Sequence, residues 1–385
     1  MKILIAHNHY QHAGGEDGVV ANEHKLLIEQ GHEVMFWSVN NKDLTLSLTG
    51  KIKTALTTSY SVASRESARD LLGGFKPDVV HAHNFFPQLS PSIYDACIDE
   101  GVPVVQTLHN YRLICPGALL MRDGRICEQC VSGSPYQAVL YGCYRGSKLG
   151  SLVVAHMVDK HRKQGTWQHK VNWFVALTNF ARDKFIEAGF PADKISVKPN
   201  FVTEVKAVIR KNQAQAYALF VGRVSLEKGI KTLIESWRQL NGAVPLRIAG
   251  SGELANQLGG INAVKYLGFQ SAEDVDALMR EAKFLVMPSE WYEGFPMVLV
   301  EAFSRGLPVL ASRLGGMAEI VEDGVTGLLF EPGNAHELAE KARWLINHPD
   351  ECMRMGNNAR ATYLEKYTPE INYNQLKAIY LAAMA

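Results

Sequence analysis

Four charged side chains in the second half of the chain have the types and spacing to grip a pyrophosphate flanked by sugars: Arg223, Lys228, Glu293 and Glu301. Glu293 and Glu301 lie in the run Met287–Ala302, on either side of a loop-to-helix turn. Pro296 suits the first helical turn, where a missing N–H costs nothing. The free N–H groups of that turn then favour an anion. A diphosphate would take the helix end, and the two acids would take hydroxyls. In Phe220–Gly229 a strand ends in a glycine and two cations follow. Arg223 can fork onto phosphate oxygens and Lys228 can add a point charge. In Ala249-Gly250-Ser251-Gly252-Glu253 small residues after a strand allow close backbone approach.

The first half offers histidines and glycines at strand ends. His81-Ala82-His83-Asn84 and Thr107-Leu108-His109-Asn110-Tyr111 each close an apolar run, and Gly14-Gly15 precedes a helical segment. Cys115, Cys127, Cys130 and Cys143 are close in sequence, with a hairpin turn at Arg122–Arg125. Two readings stand for them: four ligands of a structural zinc site, or reduced thiols packing a loop.

Positioning these groups falls to short apolar runs alternating with helical segments. Strands are expected at Lys2–Ala6, Val34–Val39, Val79–His83, Pro103–Leu108, Trp173–Leu177 and Ile195–Lys198. A second series is expected at Ala218–Val221, Leu246–Ala249, Ala263–Leu267, Phe284–Met287, Pro308–Ala311 and Gly327–Phe330. Helices fall between, notably Gly229–Leu240, Ser271–Glu281 and Met297–Arg305, and Thr203–Gln215 reads as a polar linker. The alternation predicts an α/β protein with two doubly wound, Rossmann-like parallel sheets facing across a cleft. The expected domains are 1–200 and 201–369, with a C-terminal helix at about 370–385 packing back on the first.

At 385 residues two domains are the natural expectation. A formal net charge of +1 gives no bulk attraction for nucleic acid. The opening strand-like run is too short for a signal peptide, and no apolar stretch is long enough for a membrane span. A cytoplasmic location is therefore expected, at most against a membrane face.

The ordered motifs Gly-Arg-x5-Lys-Gly, Gly-Ser-Gly-Glu, Leu267-Gly268-Phe269, Pro-Ser-x3-Glu-Gly-Phe-Pro and Glu293-x7-Glu301, completed by Gly315-Gly316 through Gly327, resemble those of the retaining glycosyltransferases of family 4. The resemblance covers essentially the whole chain and implies the two-domain GT-B fold. It implies that Glu301 holds the nucleotide ribose and Glu293 the hydroxyls of the transferred sugar. Arg223 and Lys228 would neutralise the diphosphate leaving group, as electrostatic catalysis requires. Backbone groups of Gly294, Phe295, Pro296, Met297 and Val298 would assist, with Gly250 near the donor and Phe269 beside the base. It further implies that His109 is the active-site histidine, that Gly15 approaches the donor, and that Gly14, His81, His83 and Asn84 lie on the acceptor side.

The implied reaction moves a hexose from a nucleoside-diphosphate sugar to a hydroxyl of a glycan or a polyprenyl-diphosphate-linked oligosaccharide. Retention, no metal and no cofactor are expected, since no Asp-x-Asp closes a strand in the context that metal-dependent sugar-nucleotide enzymes use. The basic interval Lys148–Lys170 beside Leu152-Val153-Val154 could meet an anionic lipid face, or be an ordinary solvated helix face. A non-catalytic sugar-nucleotide-binding module and an epimerase of the same shape are the alternatives.

Overall fold

The computed structural model describes residues 1–10, 14–43, 47–203 and 217–385. Apart from Thr203, the expected linker Thr203–Gln215 lies outside the described residues. In chain order the strands are β1 (Lys2–His9), β2 (Glu33–Asn40), β3 (Val79–Asn84), β4 (Val104–Leu108), β5 (Met121–Arg122), β6 (Arg125–Ile126), β7 (Trp173–Ala176), β8 (Ile195–Val197), β9 (Ala218–Val221), β10 (Leu246–Ala249), β11 (Val264–Gly268), β12 (Phe284–Met287), β13 (Val309–Ser312) and β14 (Gly327–Phe330).

The chain divides into two compact units. The first holds Met1–Leu120, Cys127–Asn200 and Asn372–Ala385. Its sheet runs β2-β1-β3-β4-β7-β8, every pair parallel. This is the flavodoxin-like variant of the doubly wound order, with its switch point between β1 and β3. β1 continues to His9, three residues beyond the expected end at Ala6. The extra residues are polar, but each has a neighbour that holds it: His7 pairs with Asp17 and Asn8 with Asn41. The last helix, Pro369–Met384, contributes Leu376, Ile379, Tyr380 and Ala383 to the same core as Ile3, Ile5 and Val20.

The second unit holds Phe201–Ile371 and the small antiparallel hairpin Met121–Ile126. Its sheet order, β11-β10-β9-β12-β13-β14, is the Rossmann order, with the switch point between β9 and β12. The period-2 alternation of a strand divides its residues between two cores. Ala218, Phe220, Phe284 and Val286 face one side; Leu219, Leu285 and Met287 face the other. The helix Ile230–Leu240 covers the first side with Ile230, Leu233, Ile234, Trp237 and Leu240, the spacing of one helical face. Both faces of this sheet are therefore buried, and the open ground is the edge where the parallel strands end.

Candidate active site

In the second unit the parallel strands deliver the loops after β9, β10, β11 and β12 to one sheet edge. The loop after β9 carries Arg223 and Lys228, and the loop after β12 carries Glu293. Two glycines allow these loops to approach. A Cβ on Gly229 would sit 1.7 Å from the Pro288 carbonyl oxygen, and Gly229 has φ +69°. A Cβ on Gly250 would sit 1.8 Å from the Gly222 carbonyl oxygen, at φ +139°. Neither position admits another residue without moving backbone. The Glu290 N–H donates to the Glu227 carbonyl at 2.9 Å and ties the two loops together.

Glu293 is buried, and its Oε1 accepts from Lys228 Nζ at 2.6 Å, Ser289 Oγ at 2.7 Å and Trp291 Nε1 at 2.9 Å. The Lys228 ammonium also lies 5.7 Å from the Trp291 ring centre. An ammonium has three protons, so one committed to Glu293 leaves two for a ligand. Arg223 is exposed, with a loose contact to Glu227 at 3.5 Å.

The helix Met297–Ser304 follows, with Pro296 at its N-cap rather than inside the first turn as expected. The Leu299 N–H is taken by the Pro296 carbonyl, while helix geometry leaves Met297 and Val298 N–H groups without intrahelical partners. Phe295 does not face the open edge. Its ring packs 6.0 Å from Tyr367 and joins the core. Among the described residues no side chain pairs with the Glu301 carboxylate. Burial raises its pKa, with Arg305 opposing. Arg305 is engaged instead with Asp276 at 2.6 Å. Phe269, at the end of edge strand β11, is 80% exposed, free to offer its face to a ring. The structure thus joins Lys228 to Glu293 directly and leaves Arg223, Glu301 and Phe269 open.

In the first unit the strand ends hold a buried polar network. Glu23 projects from the helix Gly15–Glu29, and its Oε2 receives the Lys198 ammonium at 2.9 Å. Its Oε1 faces His81 Nδ1 at 3.1 Å and His83 Nε2 at 3.2 Å. Burial alone would raise the Glu23 pKa, but Lys198 and then His81 hold it well below the usual carboxylate range. The two other contacts of His81 are Tyr380 and Thr107. His81, expected on the acceptor side, is therefore a core residue with both ring nitrogens engaged. Asn84 is equally committed, donating to the Asn8 carbonyl and accepting from the Phe86 N–H.

His83 Nδ1 lies 2.9 Å from His109 Nε2. The protons in this chain follow from chemistry. Glu23 Oε1 and His83 Nε2 approach without an aligned hydrogen bond, but a ring lone pair facing an ionised carboxylate would be repelled, which favours the hydrogen on His83 Nε2. Burial lowers the His83 pKa to about 3, so its ring is neutral and Nδ1 is a lone pair. His109, also pushed well below its ordinary value by burial, must donate Nε2–H to it. The remaining nitrogen, His109 Nδ1, is a bare acceptor. His109 lies on the rim of a shallow, half-open hollow, shared with His83, Asn84, Phe86, Asn110 and Arg112.

At the start of the helix Gly15–Glu29 the Asp17 carboxylate accepts from Gly14 N–H at 3.1 Å and also meets His7 at 2.8 Å and His9 at 3.2 Å. The negative group beside Gly14 and Gly15 is thus the protein's own, and an incoming phosphate would meet it. Glu16, by contrast, is pushed by burial to about 8, with Tyr10 and Asn110 as partners.

Sequence reasoning missed Glu23, Lys198 and Arg112. A signal existed for Glu23, a lone acid in the apolar stripe Val19, Val20, Leu26, Leu27. The six cysteines are thiols rather than disulfides. Among the described residues two sets place three potential metal-ligand atoms within 4.8 Å of one another: His7, His9 and Asp17, and Glu23, His81 and His83. The four clustered thiols do not form such a set.

Residues 13–204 match the family described as Glycosyltransferase Family 4, and residues 201–362 match Glycosyl transferases group 1. An uncharacterized glycosyltransferase of Methanocaldococcus jannaschii is 24% identical over 376 residues, covering 94% of this chain and 92% of that one. Among solved structures, the lipopolysaccharide outer core galactosyltransferase WaaB in its apo form superposes with TM-score 0.67 at 18% identity, over 99% of both chains. Anabaena HepE in complex with UDP and glucose gives TM-score 0.66 at 20% identity, over 98% of both. The two parallel-sheet units are the GT-B fold.

Proposed function

The chain belongs to the family 4 glycosyltransferases, and from that premise we propose that it moves a hexose from a nucleoside-diphosphate sugar to a hydroxyl of a glycan or lipid-linked oligosaccharide. The observation that carries this reading is the edge of the second unit at its switch point. A cation bonded to a buried carboxylate, Lys228 with Glu293, precedes a helix start, and that helix carries Glu301, whose carboxylate has no side-chain partner among the described residues. A half-buried carboxylate that lacks a protein partner among the described residues is satisfied when a ligand supplies donors, and a ribose diol supplies two. Arg223, the free protons of Lys228 and the N–H groups of Met297 and Val298 would neutralise the diphosphate as it leaves. Glu293 would orient sugar hydroxyls. In the first unit His109 Nδ1, a bare acceptor, would take a hydrogen bond from a substrate hydroxyl.

The configuration would be retained by a front-face route. The departing phosphate oxygen takes the proton of the acceptor hydroxyl as the new glycosidic bond forms and the anomeric C–O bond to phosphate breaks. The two cations and the helix start would do the work that a metal does elsewhere, so no metal is required. The UDP held by HepE and the lipopolysaccharide named for WaaB agree with a nucleotide-sugar donor and a glycan acceptor. Among the described residues no helix is long and apolar enough to cross a membrane, so a lipid-linked acceptor would be met at a membrane face.

The test begins with thermal shift against UDP-, GDP- and ADP-sugars, since a ligand of the folded state raises the melting point by mass action. The stabilising donor is then followed for turnover in chelator. Release of free sugar and nucleoside diphosphate supports a transferase. No turnover at all would leave a binding module, and an isomerised nucleotide sugar would mark an epimerase.

A further inference from the structure

Arg112 follows β4 in the short turn Tyr111–Leu113, where Asn110 caps the turn by accepting the Arg112 N–H at 3.0 Å. Its guanidinium is held flat between two rings, 4.7 Å from the Phe86 centre and 5.1 Å from the Tyr144 centre. One nitrogen, Nη1, donates to the Pro116 carbonyl. No carboxylate pairs with it among the described residues. Yet the group is desolvated, and burial lowers its pKa.

The surroundings do not supply a counter-charge. The shallow, half-open hollow that Arg112 borders has no acid in its lining, and Arg112 is the one lining residue with a fixed charge. His83 and His109 are neutral there. Glu16, an acid that senses the Arg112 charge, is itself held protonated to about pH 8 by burial. Arg145 stacks on Tyr144 at 5.4 Å and adds a second cation nearby. A desolvated cation without an anion is normally expensive, and ring stacking returns only part of that cost. The remaining N–H groups of the fork match the two oxygens of a phosphate or carboxylate. Asn110 and the His109 lone pair on the same rim would read a hydroxyl beside it.

We propose that this hollow is an oxyanion subsite, in which Arg112 binds a phosphoryl or carboxyl group carried by the acceptor. The inference rests on the transferase reading for the word acceptor, but not for the binding itself. It narrows the acceptor to an acidic one, either a phosphate-linked glycan or one bearing a sugar acid.

The experiment uses the full chain labelled with ¹⁵N-arginine. The Arg112 Nε–H signal is assigned by its loss in Arg112→Lys. Inorganic pyrophosphate, glucuronate and UDP are titrated separately at constant ionic strength, with thermal shift recorded for each donor sugar in parallel. A saturable shift of the Arg112 signal with pyrophosphate or glucuronate, and at least tenfold weaker binding of that probe to Arg112→Gln, is the expected result. Preference for pyrophosphate marks a phosphate-linked acceptor; preference for glucuronate marks an acidic sugar. Movement of the signal by UDP alone would assign the site to the donor and overturn the proposal. So would a signal unmoved by every probe, whether or not a donor sugar stabilises the protein. Loss of donor stabilisation with a normal pyrophosphate response would sink the transferase reading and leave the oxyanion site standing.

Discussion

The Lys228 ammonium lies 2.6 Å from the Glu293 carboxylate, across 65 positions of sequence. The same oxygen also accepts from Ser289 and Trp291, so three donors converge on one atom. Replacing Glu293 by Ala strands all of them, whereas Gln keeps the shape and some of the bonding. A double-mutant cycle of Glu293→Gln with Lys228→Met is expected to show a coupling of about 1–3 kcal/mol in urea unfolding, since the residues touch and are largely buried. Additive effects would mean that the pair is not an energetic unit. Donor turnover should fall at least about tenfold in Glu293→Gln, the loss of a single oriented bond in the transition state.

Glu301 separates stability from function. Its carboxylate is partly desolvated and has no side-chain partner among the described residues, so Glu301→Ala should leave the melting temperature unchanged or raised. Nucleotide affinity should fall about tenfold or more, from the loss of a charged hydrogen bond. Because burial raises the Glu301 pKa, affinity in the wild type should also fade on acidification earlier than an ordinary glutamate would cause. A variant that melts earlier and binds nucleotide normally would refute the role.

Gly229 and Gly73 make a matched contrast. Ala at Gly229 would drive its Cβ into the Pro288 carbonyl at a positive φ, and should cost about 1–3 kcal/mol or more. Gly73 lies within the helix Val62–Phe75 with open space around its Cβ position, so Gly73→Ala should be neutral or stabilising. Urea midpoints of the two variants check both signs.

Acid sensitivity follows from His83 and Glu23. His83 is neutral in the folded chain to about pH 3 but protonates near its ordinary value once unfolded. The folded state therefore loses ground as pH falls from about 6.5, by up to about 1.4 kcal/mol per pH unit for such a group. Glu23, depressed in the folded state, adds a loss in the same direction below its unfolded pKa. Urea unfolding from pH 7 to pH 4 should show this slope, and His83→Gln should flatten its upper part. Glu16, protonated to about pH 8 in the folded chain, tilts the profile the other way, so the readout is the difference between the two proteins: identical slopes in wild type and His83→Gln would contradict the neutral assignment.

Arg223 is exposed and loosely held. Arg223→Ala should leave the melting temperature within the range of ordinary surface substitutions, about 0.5 kcal/mol, while donor turnover falls. Normal turnover would remove it from the phosphate clamp.

Much of the fold was legible because its signals are local. Alternating apolar runs and helical stripes marked the strands of both sheets, and the spacing of Arg223, Lys228, Glu293 and Glu301 marked the charged loops and the helix proposed to bind the donor. Strand ends were less legible: β1 runs through His7, Asn8 and His9 because distant partners satisfy them. His81 looked like a site residue by its place at a strand end, yet Tyr380, from the last helix, seals it into the core.

Residue type and order by themselves determined the two-sheet architecture, the loops that carry charge and the family. Tertiary structure decided which charges pair and which stay open. Lys228 is claimed by Glu293, while among the described residues no acid pairs with Arg112 and no side chain donates to the Glu301 carboxylate. Glu23 fixes the tautomer of His109 through His83. Such outcomes depend on burial and on partners tens to hundreds of residues away, because desolvation and hydrogen bonding act through space over a few ångströms, and sequence distance is silent on both.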